Sequence, residues 1–267
     1  MIKCVVPISG GKDSQACLKL ALNKFNKDEV IGLFCDTKFE HPINYQHIDN
    51  MREIYGIDIV TVNDGNVYDR ILRYGRFPSG AARFCTDELK IRTGKQFYSM
   101  LARLQGGGFE VWYGMRSEES SERKKRYSRI NSLDLIPPHI VMTSKYPKFL
   151  EQLGVMFRLP ILDWSFDDVV EYLGDEINPL YKSGFDRVGC FPCLASGDKW
   201  KEKAFSFDSV GQQRRIEVIQ LGQKIGKNIF TTKGGRLRNQ DADPLNNLDT
   251  EYNTNQEDDA PCFICNI

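Results

Sequence analysis

The chain has 267 residues, with 36 Lys or Arg against 36 Asp or Glu, so its formal net charge is zero. Hydrophobic residues make up 41% of it, enough for a sizeable core, which excludes wholesale disorder and suits one large domain or a domain with an appendage. No apolar run reaches the ~18 residues of a membrane span, and the start MIKCVVPISGGKDS lacks a secretory pattern, so a cytoplasmic protein is expected, whose eight cysteines point to metal or catalytic chemistry rather than disulfides.

In chain order, Lys3–Ile8 reads as a short buried strand, punctuated by Gly10 and Gly11. Ser14–Phe25 carries Ala16, Cys17, Leu20 and Ala21 at helical spacing. Val30–Cys35 is a second strand, Ile43–Tyr55 a helix behind Pro42, and Asp58–Val62 a third strand. A long amphipathic helix is expected over Asp87–Leu104, ended by Gly106, with a fourth strand at Glu110–Tyr113. Alternating strands and helices imply a doubly wound parallel sheet. Beyond it, Phe157–Leu162 reads as a strand, and Ser165 caps a helix over Phe166–Leu173. Asn178–Pro192 is loop-like, and Val210–Gly226 is helical. From Asn239 to Ile267 there is no Lys or Arg but seven acids, leaving the preceding body at 36 − 29, formally +7. A basic body suits a nucleotide or nucleic acid. The organisation expected is a nucleotide-binding domain over 1–193 and a helical segment with an acidic, cysteine-bearing tail over 194–267.

The segment richest in chemistry is Ser9-Gly10-Gly11-Lys12-Asp13-Ser14, between the first strand and the first helix. In an open parallel sheet, ligands bind at the carboxyl ends of strands, where helices begin. Two glycines let backbone approach an anion, and a helix start attracts phosphate. Lys12 adds a charge, and Ser9 and Ser14 add hydroxyls. The loop resembles the pyrophosphate loop (PP-loop) of the ATP-pyrophosphatase superfamily, and lacks the Walker A spacing.

Further segments are similar to the phosphoadenosine-phosphosulfate (PAPS) reductase family within that superfamily. Cys35-Asp36-Thr37-Lys38 through Pro42 resembles its D-T-G-x-x-x-x-P element, with Lys38 where Gly is usual. Arg83-Phe84-Cys85-Thr86 with Lys90 resembles its cysteine element, where the cluster-bearing branch has two adjacent cysteines. Gly114-x-Arg116 through Ser120 and Arg123, Pro160–Trp164 with Asp168-Val169, and Asn178–Tyr181 through Cys190-x-x-Cys193 complete the match, over about seven-tenths of the chain. The resemblance implies the adenine-nucleotide alpha-hydrolase type of fold, with ATP or a PAPS-type adenine nucleotide and Mg²⁺ as ligands.

Site residues follow. Lys12, Asp13 and Arg116 are the expected catalytic groups, and Ser9–Ser14, Asp36, Thr37, Arg116 and Arg123 the nucleotide contacts. Arg116 and Arg123 stand in a run of six basic residues ending at Arg129, whose bland reading is a solvated helix face. Cys190 and Cys193 form one C-x-x-C, Cys262 and Cys265 another, and Cys85 stands alone. Five thiols thus exist for the four seats of a [4Fe–4S] cluster, which relatives carry, or of a zinc ion as the alternative. Cys4, Cys17 and Cys35 read as core, and the three histidines receive no role.

Three functions remain open. One is an ATP pyrophosphatase that adenylates a substrate for sulfur transfer, as in the DNA phosphorothioation protein and RNA thiolases. Its partners would be nucleic acid and a sulfur donor protein. The second is a sulfonucleotide reductase working with a thioredoxin-type reductant, whose E-C-G-I/L-H nucleophile motif is absent here. The third is a non-enzymatic nucleotide-binding iron–sulfur subunit.

Overall fold

The structure is a computed structural model and describes residues 1–80, 82–142 and 147–230. Cys262, Cys265 and the acidic stretch from Asn239 lie outside the described residues. Five parallel strands form one sheet in the order β3-β2-β1-β4-β5: β1 (Cys4–Ile8), β2 (Val30–Cys35), β3 (Ile59–Val62), β4 (Glu110–Trp112) and β5 (Met156–Arg158). The expected doubly wound α/β fold is present. All five residues of β1 are buried, as a central strand covered on both faces requires.

Alternation along β1 divides the core. Cys4, Val6 and Ile8 pack beneath α1 (Lys12–Lys24) and α2 (Pro42–Tyr55), with Val169 and Leu173. Val5 points to the other face, where Tyr98, Ala102, Phe157 and Leu150 close the second layer. Each Val, Leu, Ile or Phe among them, taken from water, contributes roughly 1.5–3 kcal/mol. Cys4, Cys17 and Cys35 are buried core residues as expected, and burial pushes the Cys35 thiol up to about 12.

Helix boundaries follow local chemistry. His41 Nδ1 accepts from the Ile43 N–H with Pro42 opening α2, and Gly56 closes it at positive φ. Asn66 caps α3 (Val67–Tyr74), an element absent from the sequence reading although its cap and its Gly75 stop are both legible. The long helix α4 starts earlier than expected: an α-turn Phe84–Thr86 runs into a π-helical stretch Asp87–Arg92 and then Thr93–Gln105. After β4 comes α5 (Ser121–Arg126); α6 (Phe166–Leu173) has Ser165 and Asp168 in a reciprocal capping box. Two helices, α7 (Asp198–Phe205) and α8 (Ser209–Ile225), pack Phe205, Val218 and Leu221 against Ile71 of α3 and Leu89 of α4.

Three expectations need correction. The strand expected over Phe157–Leu162 is only Met156–Arg158; Leu159, Ile161 and Leu162 are buried in a turn, because an apolar run reports burial rather than conformation. The loop Asn178–Pro192 contains a helical turn, Pro179–Lys182. The histidines left without a role include two buried ones with structural partners: His41 caps α2 and pairs with Asp208, and His47 meets Gln15 Oε1 at 2.9 Å.

Burial lowers the His47 pKa from 6.5 to about 4. The neutral ring is therefore the form that folding favours. The associated stability is present above pH 6.5 and is lost as the pH falls toward 4, by ~3 kcal/mol in all. Urea midpoints across that window should fall in the parent chain and fall less in His47→Gln; equal slopes for both would remove His47 as the cause.

Candidate functional site

The chain lays down β1, β2 and β3 outward in one direction, then returns to place β4 on the other side of β1. The crevice at that reversal, beyond the carboxyl ends of β1 and β4, is where an open α/β sheet binds ligands. The segments leaving those two strands are Ser9–Gly11 and Tyr113–Arg116. The second of them packs on the first turn of α1: a Cβ on Gly114 would stand 2.7 Å from the Asp13 carbonyl and 2.9 Å from the Ser14 nitrogen. The structure thus brings the sequence-selected Ser9–Ser14 and Arg116 together.

The loop is held from behind by amides. Asn44 Nδ2 donates to the Ser9 carbonyl at 3.0 Å, and Asn178 Nδ2 donates to the Gly10 carbonyl at 2.9 Å and to Asn44 Oδ1. Within it, Ser14 Oγ donates to the Gly11 carbonyl and accepts from the Ser9 N–H. Fixing the carbonyls on one side leaves the helix start, uncapped by any side chain at Gly11, on the other. The Lys12 N–H is held by the Tyr181 hydroxyl at 3.1 Å. Gly10 has φ +76°, and a Cβ there would fall 1.9 Å from Asn44 Oδ1. Gly10→Ala should abolish the thermal shift produced by adenine nucleotide and destabilise the chain by ~1–3 kcal/mol; a parental nucleotide affinity would contradict this architecture.

Two buried cations share one carboxylate. Lys12 Nζ lies 2.9 Å from Asp13 Oδ1, and Arg116 Nε 2.7 Å from the same oxygen. Lys12 also stands 4.4 Å over the Phe166 ring. Burial pushes the Lys12 ammonium below its ordinary range, with Asp13 opposing. Arg116 is raised, because Asp13 and Glu119 outweigh its burial. Arg116 also pairs with Glu118 at 2.6 Å, so two cations face two carboxylates, and both cations are donors of the kind that grip an oxyanion.

Other expected residues are placed less directly. Arg123 is 1% exposed and pairs with Glu119, so it anchors α5 rather than lying on a solvated face. Lys124, Lys125 and Arg126 do lie exposed. Asp36 accepts from the Tyr45 hydroxyl at 2.8 Å and the Lys38 N–H, and pairs with Lys38 Nζ at 2.7 Å. Lys38 has φ +56°, the conformation glycine takes freely, and it occupies the position where the resembling family has Gly. Thr37 Oγ1 is 3.3 Å from Cys190 Sγ.

Cys85, Cys190 and Cys193 line one cavity beside the crevice, together with Lys90. A bridge between Glu40 and Cys190, and the Phe191 N–H donating to the Phe39 carbonyl, pin this segment to the continuation of β2. The π-helical stretch carries Lys90. Burial works against the Lys90 ammonium, but Cys190, Glu40, Cys85 and Cys193 outweigh it and raise it. Burial, with Glu40 next, pushes the Cys190 thiol well up. Cys85 is raised by burial and then by Cys193. Among the described residues, no group of three or more His, Cys, Asp or Glu is placed to hold a single metal ion. The sequence reading missed Glu40, Asn44 and the holding role of Asn178; no sequence signal marks these polar residues as buried.

Residues 3–196 match the family model of the phosphoadenosine phosphosulfate reductase domain. The chain belongs to this family. It is 32% identical over 196 residues to an uncharacterized protein of Methanocaldococcus jannaschii, an alignment covering 72% of this chain and 36% of that one. It is 26% identical over 187 residues to phosphoadenosine 5′-phosphosulfate reductase of Aliivibrio salmonicida, covering 68% of this chain and 65% of that enzyme. The family member thus spans about a third to two-thirds of these relatives. Among solved structures, PAPS reductase from Candida auris in a phosphate complex aligns with TM-score 0.46 at 15% identity, over 72% of this chain and 82% of that one. U34-tRNA thiolase NcsA from Methanococcus maripaludis with its [4Fe-4S] cluster aligns with TM-score 0.42 at 18% identity, over 84% and 71% of the respective chains. No helix among the described residues is long and apolar enough to cross a membrane.

Proposed function

We propose that this family member is an ATP pyrophosphatase that adenylates an acceptor in nucleic acid for sulfur transfer. The observation that carries the reading is the pair of buried cations, Lys12 and Arg116, on the loop side of the crevice, next to a cavity holding three thiols. An acceptor oxygen attacks the α-phosphorus of ATP, the bond from that phosphorus to the α–β bridging oxygen breaks, and pyrophosphate leaves into the loop. Lys12, Arg116 and the start of α1 hold the charge that develops on it. Asp13 orients both cations. Sulfide from a donor protein then displaces AMP, carrying in the electron pair of the new bond. Asp36 is occupied by three donors, so Mg²⁺ is expected on the phosphates of the nucleotide rather than in a protein cage.

A [4Fe–4S] cluster would be held by Cys85, Cys190 and Cys193, which line one cavity beside a buried ammonium, with Cys262 or Cys265 as the fourth thiolate. Bound there, a [4Fe–4S] cluster would supply an iron site for the incoming sulfide. Zinc on the two C-x-x-C pairs is the alternative. A second reading, a sulfonucleotide reductase, is favoured by the name of the Aliivibrio salmonicida relative; in it the same loop holds PAPS, and a tail thiolate attacks sulfur. Products separate the two readings: AMP and pyrophosphate formed from ATP in response to nucleic acid support the first, and ADP with orthophosphate, or no turnover, counts against it.

A further inference from the structure

Helix α4 runs the height of the sheet. At its crevice end the Lys90 carbonyl accepts from the Cys35 thiol at 3.7 Å, where β2 finishes. At its other end the Gln105 side chain exchanges hydrogen bonds with the backbone of Ile2 at 3.0 and 3.1 Å, just before β1. The outer face of α4 is exposed at Arg92, Gln96, Met100 and Arg103, which follow one another at helical spacing and so form one row. This row lines a groove together with Lys95 and, across from the helix, Phe149. Met100 is 51% and Phe149 41% exposed, so apolar surface lies in water beside the cations. No Asp or Glu is among the described lining residues.

Local pairing does not neutralise the row. The carboxylates on α4 and on the helical turn Phe149–Gln152 are Asp87, Glu88 and Glu151. Asp87 has a partner of its own, and Glu151 lies 3.5 Å from His139 Nδ1. Glu88 already holds Arg70 at 2.6 Å and Arg73, and Arg92 acts on it as a third guanidinium. Arg103 stands about 16 Å further along the helix at ~1.5 Å per residue, where its Nε donates to Ser99 Oγ at 3.4 Å. Positive charge drawn out over such a length matches a repeating anion rather than a single phosphate. An exposed aromatic beside it gives an unpaired base a face to stack on. The row also leads to the site already described: Lys90, two residues before Arg92 in the π-helical stretch, lines the thiol cavity.

We propose that this groove takes a single-stranded segment of a polynucleotide, its phosphates along Arg92 and Arg103 and a base on Phe149, and leads it toward the crevice. This rests on the reading above of a nucleic-acid acceptor, and adds where on the chain that acceptor is held.

The test uses the anaerobically purified full chain, short labelled RNA and DNA oligomers in single-stranded and duplex form, a polyglutamate peptide and a non-hydrolysable ATP analogue. Arg92→Gln combined with Arg103→Gln should weaken single-strand binding by about tenfold and lower the slope of log affinity against log salt by about 1.4, two phosphate contacts at ~0.7 each. Phe149→Leu should weaken it by about tenfold with the slope unchanged, since a stacked base releases no counterion. Thermal midpoints and analogue affinity should stay parental in both variants, whose altered side chains are exposed. Lys27→Gln, exposed between α1 and β2, should change none of these readouts. Parental oligomer affinity in both groove variants overturns the proposal, as does a duplex bound as tightly as the single strand. Polyglutamate bound with the oligomer's affinity, and lost in the same variants, would make the groove a docking site for an acidic polypeptide and likewise overturn it. A parent chain that binds no oligomer yet forms pyrophosphate from ATP overturns this inference and leaves ATP cleavage standing. Oligomer bound through the groove with no AMP formed from ATP supports the groove and counts against the reading above.

Discussion

Lys12→Ala should lower pyrophosphate formation by roughly 10²–10³-fold, the usual effect of removing one preorganised donor from a developing oxyanion. Lys12 is a clean probe because its removal leaves the site paired. Asp13 keeps Arg116 at 2.7 Å, so no buried carboxylate is stranded. The chain should therefore fold, with a thermal midpoint close to the parent's. Arg116→Ala should cost a similar factor in rate and more in stability, since Arg116 also ties Glu118 to the crevice at 2.6 Å. Steady-state rates and melting curves on both variants separate catalysis from folding. A Lys12→Ala rate within about threefold of the parent would remove the loop from the chemistry.

Cys190→Ser should reduce bound iron from about four per chain to less than one, and bleach the brown absorbance of an anaerobic preparation. Cys190 is the most constrained of the three cavity thiols. It lies 3.3 Å from Thr37 Oγ1 and is bridged through its backbone to Glu40. Its thiol is raised by burial and Glu40, so the proton leaves when a metal binds the sulfur and displaces it to solvent. Single Cys262→Ser and Cys265→Ser variants then identify the tail ligand. Full iron in Cys190→Ser, or a colourless parent holding one zinc, would turn the C-x-x-C pairs into a staple and leave nucleotide binding as the surviving half of the account.

The loop and its partner across the crevice were legible because both lie in contiguous segments at strand ends. Parallel topology alone brings Ser9–Ser14 to Arg116. The backing of the loop was not legible. Asn44 lies on a helix with an ordinary amphipathic pattern, and its burial depends on Asn178, which is 134 residues away in sequence. Glu40 and Lys90 carry no sequence mark of burial, although Lys90 stands in the cysteine element; both are buried, with Glu40 and the thiols acting together on the Lys90 ammonium. Arg123, expected as a nucleotide contact in a charged run, is buried and paired with Glu119 one turn earlier. Helix α3 was passed over because it buries only Val67 and Ile71; its caps were the better signal.

The most direct test is to incubate the anaerobic chain with its sulfur source in parallel with labelled ATP plus a single-stranded polynucleotide, and with PAPS plus thioredoxin. The expected result is AMP, pyrophosphate and sulfur-labelled polynucleotide in the first reaction, with no sulfite in the second. Sulfite released from PAPS without ATP, with ATP untouched in the first reaction, would contradict the proposal and make the chain a reductase.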